Sequence, residues 1–401
     1  MTREIRPAQV DIIDHIVDSI LRFGACGVWA GMGLGKSAST YIALDRLNMA
    51  GVEVYPALVV APIRVAQNTW PAELDEWPEI LPDTRISAIV GEADERQRAL
   101  RQPAEVYSIN YENLPWLAKQ FEKKPWPFKT IISDESTRLA SLRVTIRNEV
   151  GGKPCAPYVH GQGGVQARAL LELSWKHRNK FIELTGTPAT KGLEKIWGQL
   201  FFMDYGQRLG RTLAAVEDRY FSYKKVGNYT QRRLAPQSDV LIHAAVKDIC
   251  RSFNAKDYYD VKEPLTIPKW IDLPPLAMKQ YREMEKKFFT EIKEHKIEAF
   301  NAGTKSGKLS QMANGAAYIG EDDGSDKRPW VMVHDEKLDM LESIVEEANG
   351  MPVLVVYWFK SDLARLKARF PKGRVLDKKK STEDEWNAGE IELMFLHYGN
   401  A

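Results

Sequence analysis

The run Ala30-Gly-Met-Gly-Leu-Gly-Lys-Ser37 has the residue types that hold a chain of phosphates. Small residues at Ala30, Gly31, Gly33 and Gly35, with Met32 and Leu34 between them, let successive backbone N–H groups curl around phosphate oxygens. A helix starting at the end of the run adds the positive end of its dipole. Lys36 is then placed for the β- and γ-phosphates and Ser37 for Mg2+, so the run reads as a P-loop for ATP, with Ala30 where glycine is usual. A second chemical signal is Ile131-Ile-Ser-Asp-Glu-Ser-Thr137, roughly a hundred residues downstream. There Asp134 can join the Mg2+ shell and Glu135 can orient and polarise an attacking water. Alone, an Asp-Glu pair after a strand is as well explained by an exposed turn. The third signal, Thr185-Gly-Thr-Pro188, offers two hydroxyls at a strand end; alone it reads as a Gly-Pro turn.

These residues must be positioned by a regular framework. GVWA at 27–30, ALVVAP at 57–62, ISAIVG, EVYSINYENL, KTIISDE and FIELTGTP are apolar strand candidates separated by helical patterns. Strands buried on both faces between helices predict an α/β fold with a parallel sheet, and ligands bind at the carboxyl ends of such strands. Each of the three signals sits at such an end. Residues 145–168, rich in Gly and Pro, read as a loop, and 206–265 as an irregular aromatic and basic insertion. KWIDL predicts a strand and LAMKQYREMEKKFFTEIKEHKIEAF one long half-solvated helix. Strand and helix patterns alternate again after 335, as a second α/β lobe.

Composition sets the outer bounds. The 401 residues suit two or three domains, and 44% hydrophobic content supports packed cores. A formal net charge of +2 excludes a histone-like protein but not a nucleic-acid enzyme with local basic patches. Such patches are Arg138–Arg147, Lys224–Arg233 and Arg365–Lys380, although any one of them alone reads as a solvated face. Cys26, Cys155 and Cys250 show no metal or disulfide spacing and read as reduced thiols. The seven histidines share no ligand spacing, and Trp70, Trp77, Trp126, Trp175 and Trp197 read as core. The amino terminus reads as an amphipathic helix, not a signal peptide, and no apolar run is long enough to span a bilayer; a soluble, cytoplasmic protein is expected.

In their order, the three motifs resemble the superfamily 2 helicase-like ATPases, most closely the Swi/Snf type and its phage and prophage members. The resemblance also takes in Arg6-Pro-Ala-Gln9, Val59-Val-Ala-Pro62 with Trp70 and Trp77, Leu200 to Tyr220, Gln311–Ala316, His334-Asp-Glu-Lys337 and Val353 to Phe359. It implies two RecA-like lobes: residues 1–205, then an insertion or linker at 206–265, then a partial lobe at 266–401. It implies an ATP-driven motor on nucleic acid, DNA being favoured, in a bacterial or phage-infected cell. Gln9 would contact adenine, Lys36, Ser37, Asp134 and Glu135 would act as above, and Thr185 and Thr187 would couple the site to neighbouring loops. Arg64 would touch the nucleic-acid backbone.

The family closes its second lobe with a glycine-rich motif and an arginine-bearing helix, and this sequence reaches HYGNA without them. An arginine finger is worth roughly 10³–10⁵ in rate, so slow turnover is expected unless a partner supplies one. Two other readings stay open: a module that binds ATP and DNA without hydrolysis, and a small-molecule kinase.

Overall fold

Runs of Val, Ile, Leu and Ala between helical segments form strands buried on both faces, as a parallel sheet between helix layers requires. A computed structural model describes residues 4–150, 153–177, 179–189, 192–226, 229–260, 265–299, 301–320, 328–377 and 380–400. The chain divides into two units, Met1–Glu263 and Pro264–Ala401. The first opens with helix α1 (Pro7–Phe23), β1 (Ala25–Ala30), α2 (Lys36–Met49), β2 (Ala57–Ala61), α3 (Trp70–Asp75), β3 (Ile86–Ile89), α4 (Ala93–Arg101) and β4 (Val106–Asn110). It continues through α5 (Leu114–Gln120), β5 (Thr130–Asp134), β6 (Arg143–Val150), β7 (Lys153–Gln162), α6 (Val165–His177), β8 (Lys180–Thr185) and α7 (Glu194–Asp204). It ends with α8 (Leu213–Tyr220), β9 (Phe221–Val226), β10 (Tyr229–Leu234), α9 (Ser238–Val246) and β11 (Cys250–Phe253).

Seven strands make one sheet in the order β11-β1-β8-β5-β2-β4-β3, and the paired strands are parallel. Strands β1, β2, β4 and β5 are buried at every position. One face packs on α1, α2 and α3 through Ile12, Ile16, Leu44 and Trp70; the other packs on α5, α6 and α7 through Leu117, Leu170, Trp197 and Phe202. Helix α1 follows from its sequence: Pro7 starts it, Ile12, Ile13, Ile16 and Ile20 make one buried stripe, and Gly24 in the left-handed region ends it. The stretch 206–265 contributes α8, α9, the β9–β10 hairpin and the sheet-edge strand β11; residues 227–228 and 261–264 lie outside the described residues.

The segment expected as a loop at 145–168 is instead mostly the antiparallel hairpin β6–β7, with residues 151–152 outside the described set. Its β-branched run Val144-Thr145-Ile146 ahead of the Gly151-Gly152 pair is a strand-then-turn pattern, and the Gly and Pro count obscured it.

The second unit contains α10 (Pro275–Lys287), β12 (Phe289–Ile292), β13 (His295–Glu298), α11 (Ala302–Asn314), β14 (Ala316–Tyr318) and β15 (Trp330–Met332). Then come α12 (Glu336–Ala348), β16 (Val353–Tyr357), α13 (Lys360–Arg369), β17 (Arg374–Val375), α14 (Lys380–Asn387) and β18 (Leu393–His397), with a parallel sheet β16-β18-β17. The expected long helix at 276–300 does not persist. Phe288 adopts φ 61 and its N–H closes onto Met284, and the hairpin β12–β13 turns at Lys293 and Glu294, both at positive φ. Met284, Ile292, Ile297 and Met312 then share one small core, so packing outweighs the helix propensity of the charged run. KWIDL forms no strand. Arg365, part of a basic run, is buried and donates to the carbonyls of Asn314 and His334 at 2.6 Å each and to Asp335 at 2.7 Å, which makes it a structural tie. No helix among the described residues is long and apolar enough to cross a membrane.

Glu183 is an unexpected occupant of the central strand β8. Burial, with Asp204 nearby, pushes its pKa up to about 8, and its Oε1 has no hydrogen-bond partner among the described residues. The folded state therefore holds a proton that the unfolded chain releases above its ordinary carboxyl range. Stability from this group is full below that range and is lost as pH rises toward 8, by about 1.4 kcal/mol per pH unit. Urea unfolding of wild type and Glu183→Gln from pH 5 to 8 checks this: the variant should lack that part of the slope.

Candidate functional site

The carboxyl ends of β1, β8 and β5 lie side by side because the three strands are adjacent and parallel. Trp29 pairs with Thr185, and Leu184 pairs with Asp134. The loops that follow, 30–37, 185–188 and 134–137, therefore emerge on one edge of the sheet. Thr185 is fully buried, and Gly186 faces the Ala30 carbonyl and Gly31: a Cβ added there would lie 3.5 Å from that carbonyl.

In the first loop Gly33 (φ 77) and Gly35 (φ 79) hold left-handed backbone that side chains resist. A Cβ at Gly31 or Gly33 would meet nothing within 4 Å, so both positions face open space. Leu34 is buried and anchors the loop, whereas Met32 at its tip is 95% exposed. Gly35 caps α2, whose first-turn N–H groups receive no side-chain cap. The Lys36 ammonium donates to the carbonyls of Ala30 at 2.8 Å and Gly31 at 3.2 Å, which holds it inside the loop beside the first turn carrying Ser37. Gln9 is buried against the same turn. Its Oε1 accepts from the Arg6 backbone N–H at 3.0 Å, and its amide nitrogen would lie 2.6 Å from a Cβ at Gly35. Glycine at 35 is thus required twice, by φ and by Gln9.

Asp134 is buried at the end of β5. Burial raises its pKa; the Trp70 hydrogen bond and then the charge of Lys36 oppose this, which puts the lysine and the carboxylate in one electrostatic field. Trp70 Nε1 donates to Asp134 Oδ2 at 3.0 Å. Tyr111 donates to the Asp134 carbonyl at 2.7 Å, and the Glu135 N–H donates to Asp134 Oδ1 at 3.1 Å. Glu135 adopts φ 56, an uncommon conformation for a side-chain-bearing residue that turns the chain off the strand end. Arg64 lies after β2 at the start of a π-helical turn, Val65–Thr69.

Two residues outside the sequence motifs tie the loops together. Trp70, expected only as core, links three elements: Tyr41 of α2 donates to its carbonyl at 3.0 Å, and its indole reaches Asp134. Gln199 of α7 is buried; its Oε1 accepts from Ser136 at 2.9 Å and its Nε2 donates to the Pro188 carbonyl at 2.8 Å. The acidic loop and the Thr-Gly-Thr-Pro loop are thereby joined. The Thr185 hydroxyl itself accepts from the Thr187 N–H at 3.2 Å, within its own turn. A buried indole N–H and a glutamine inside the apolar run IWGQLFF are both signals of an internal polar partner.

The donor set suits a nucleoside triphosphate with Mg2+: an open cradle of small residues, a lysine within it, a hydroxyl at a helix start and a buried carboxylate sharing the lysine's field.

No family model matches the sequence. The chain is 41% identical over 395 residues to putative protein p41 of Acyrthosiphon pisum secondary endosymbiont phage 1, covering 98% of this chain and 80% of that protein. It is 24% identical over 260 residues to Protein CHROMATIN REMODELING 5 of Arabidopsis thaliana, covering 63% of this chain and 14% of that protein. Among solved structures, the Sulfolobus solfataricus SWI2/SNF2 ATPase core in complex with dsDNA is similar at a TM-score of 0.49 and 19% identity, over 99% of this chain and 78% of that one. The ATPase core domain of the same organism is similar at a TM-score of 0.45 and 16% identity, over 98% and 76%.

Trp70→Phe keeps an aromatic ring but removes a donor to a buried carboxylate. It should destabilise the first unit by about 1.5–3 kcal/mol and push the Asp134 pKa up further. Gln199→Leu strands the Ser136 hydroxyl and the Pro188 carbonyl, and should cost about 1–3 kcal/mol. Urea unfolding of each variant measures both; a change below ~0.5 kcal/mol in either would contradict its assigned tie.

Proposed function

We propose that this chain, which belongs to one family with the phage protein p41, is an ATP-hydrolysing motor of the Swi/Snf type of superfamily 2 helicase-like ATPases, acting on DNA. The observation that supports this best is the common edge where Lys36, Thr185 and Asp134 end or follow neighbouring parallel strands. In this reading the loop amides from Gly31 to Ser37 hold the phosphates of ATP, with Lys36 lending positive charge to the β- and γ-phosphates. Gln9, packed on Gly35, meets the adenine. Ser37 and Asp134 would hold Mg2+, which would supply neutralisation of phosphate charge. Glu135, on the sharp turn after β5, orients the attacking water and accepts its proton. Thr185 and Thr187, joined to the acidic loop through Gln199, carry the change in phosphate occupancy to neighbouring loops. Arg64 touches the nucleic-acid backbone.

Three proteins suffice as a test: wild type, Lys36→Ala and Glu135→Gln, each assayed for nucleotide binding and for phosphate release with and without DNA. Wild type should turn over faster with DNA. Lys36→Ala should lose nucleotide binding. Glu135→Gln should bind ATP normally and lose at least about 10²-fold in turnover. Undiminished turnover in Glu135→Gln removes that residue from its role, and phosphate release indifferent to any nucleic acid removes the motor reading.

A further inference from the structure

The β9–β10 hairpin grows directly out of α8. Tyr220 and Phe221 are buried at the junction, and the Ala235 N–H closes the far end of the hairpin onto the Tyr220 carbonyl at 2.9 Å. The register pairs Phe221 with Leu234, Ser222 with Arg233, Tyr223 with Arg232 and Lys224 with Gln231. Side chains alternate between the two faces of such a ribbon. Tyr223 and Arg232 share one face, and both are held by Glu217 of α8, which accepts from the Tyr223 hydroxyl at 3.3 Å and from the Arg232 guanidinium. Arg232 also lies over the Phe221 ring, 5.2 Å from its centroid. This face is pinned to its helix and bears a carboxylate.

The opposite face differs in composition. It carries Ser222, Lys224 and Arg233, all exposed. From 221 to 234 the sequence has four basic residues, Lys224, Lys225, Arg232 and Arg233, and no acidic one. Lys224 and Arg233 stand diagonally across the ribbon, about 7–8 Å apart at the backbone. The described side chains of this face are a hydroxyl and two cations, which suit a line of phosphates.

We propose that this face of the hairpin contacts the sugar-phosphate backbone of the nucleic acid on which the motor acts, through Lys224 and Arg233. The inference rests on the motor reading above and adds to it a track contact outside the ATP-binding loops. The contact is electrostatic and independent of base sequence. The Glu217 clamp holds the ribbon in place, so little ordering cost accompanies binding.

The test is titration of fluorescently labelled duplex and single-stranded oligonucleotides with the full chain at several salt concentrations. Each lost phosphate contact lowers the slope of log K against log salt by about 0.9 on duplex and about 0.7 on single strands. Lys224→Ala/Arg233→Ala should bind more weakly than wild type, with a slope reduced by about two such contacts, and Lys224→Ala alone should lose about one. Lys225→Ala, on the clamped face, should match wild type. The proposal is overturned if the double variant keeps wild-type affinity and slope, or if Lys225→Ala loses as much. It is also overturned if poly-glutamate binds as tightly as the oligonucleotides with the same dependence on Lys224 and Arg233. A wild-type chain that binds no nucleic acid at all would instead sink the motor reading on which the proposal rests.

Discussion

Three strands paired in parallel, β1, β8 and β5, set everything else in the first unit. Parallel pairing sends their chain ends the same way, so loops that are far apart in sequence open onto a single edge. The pairing needs close fits. Gly27 of β1 faces Cys250 of the edge strand, where a Cβ would lie 2.5 Å from the sulfur, so only glycine admits β11 at this register. On the other side of Gly27 stands Glu183, a carboxyl group whose pKa burial raises to about 8. The sheet carries this cost in its centre while its edge holds the phosphate loop.

Around the loops, buried polar side chains fix geometry that strand pairing alone leaves loose. Tyr41 and Trp70 join the helix after the phosphate loop to Asp134, and Gln199 joins the acidic loop to the turn at 185–188. Each tie uses a donor or acceptor that would be costly to leave unpaired, so each resists displacement. A site whose carboxylate is held from two sides needs less rearrangement when charge arrives. The same reasoning separates the basic residues. Arg365 is an internal strut, Arg138 pairs with Glu112 at 2.9 Å, and Arg232 is clamped by Glu217, while Lys224 points from a face that bears no described acid.

Much of this was legible from residue order. The apolar runs marked the buried strands, and the glycine-lysine-serine and acidic motifs marked their ends, because burial on both faces leaves an unbroken apolar signature and tight phosphate loops demand small residues. The hairpins at 143–162 and 289–298 were misread, as a loop and as a helix, because their partners are set by turn geometry and packing. Trp70 and Gln199 were legible only as a tryptophan in an apolar pattern and a polar residue in an apolar helix.

Local chemistry, then, was decided by the sequence itself: which residues can wrap phosphate, hold a metal or polarise water, since those properties belong to side chains and short backbone turns. Tertiary structure alone decided which of them meet. Strand order, the joining of β11 to β1, the reach of Trp70 to Asp134 and the bridge through Gln199 bring together residues distant in the chain, 64 positions apart for Trp70 and Asp134 and 63 for Ser136 and Gln199. No local pattern encodes such contacts, because they follow from how whole layers pack.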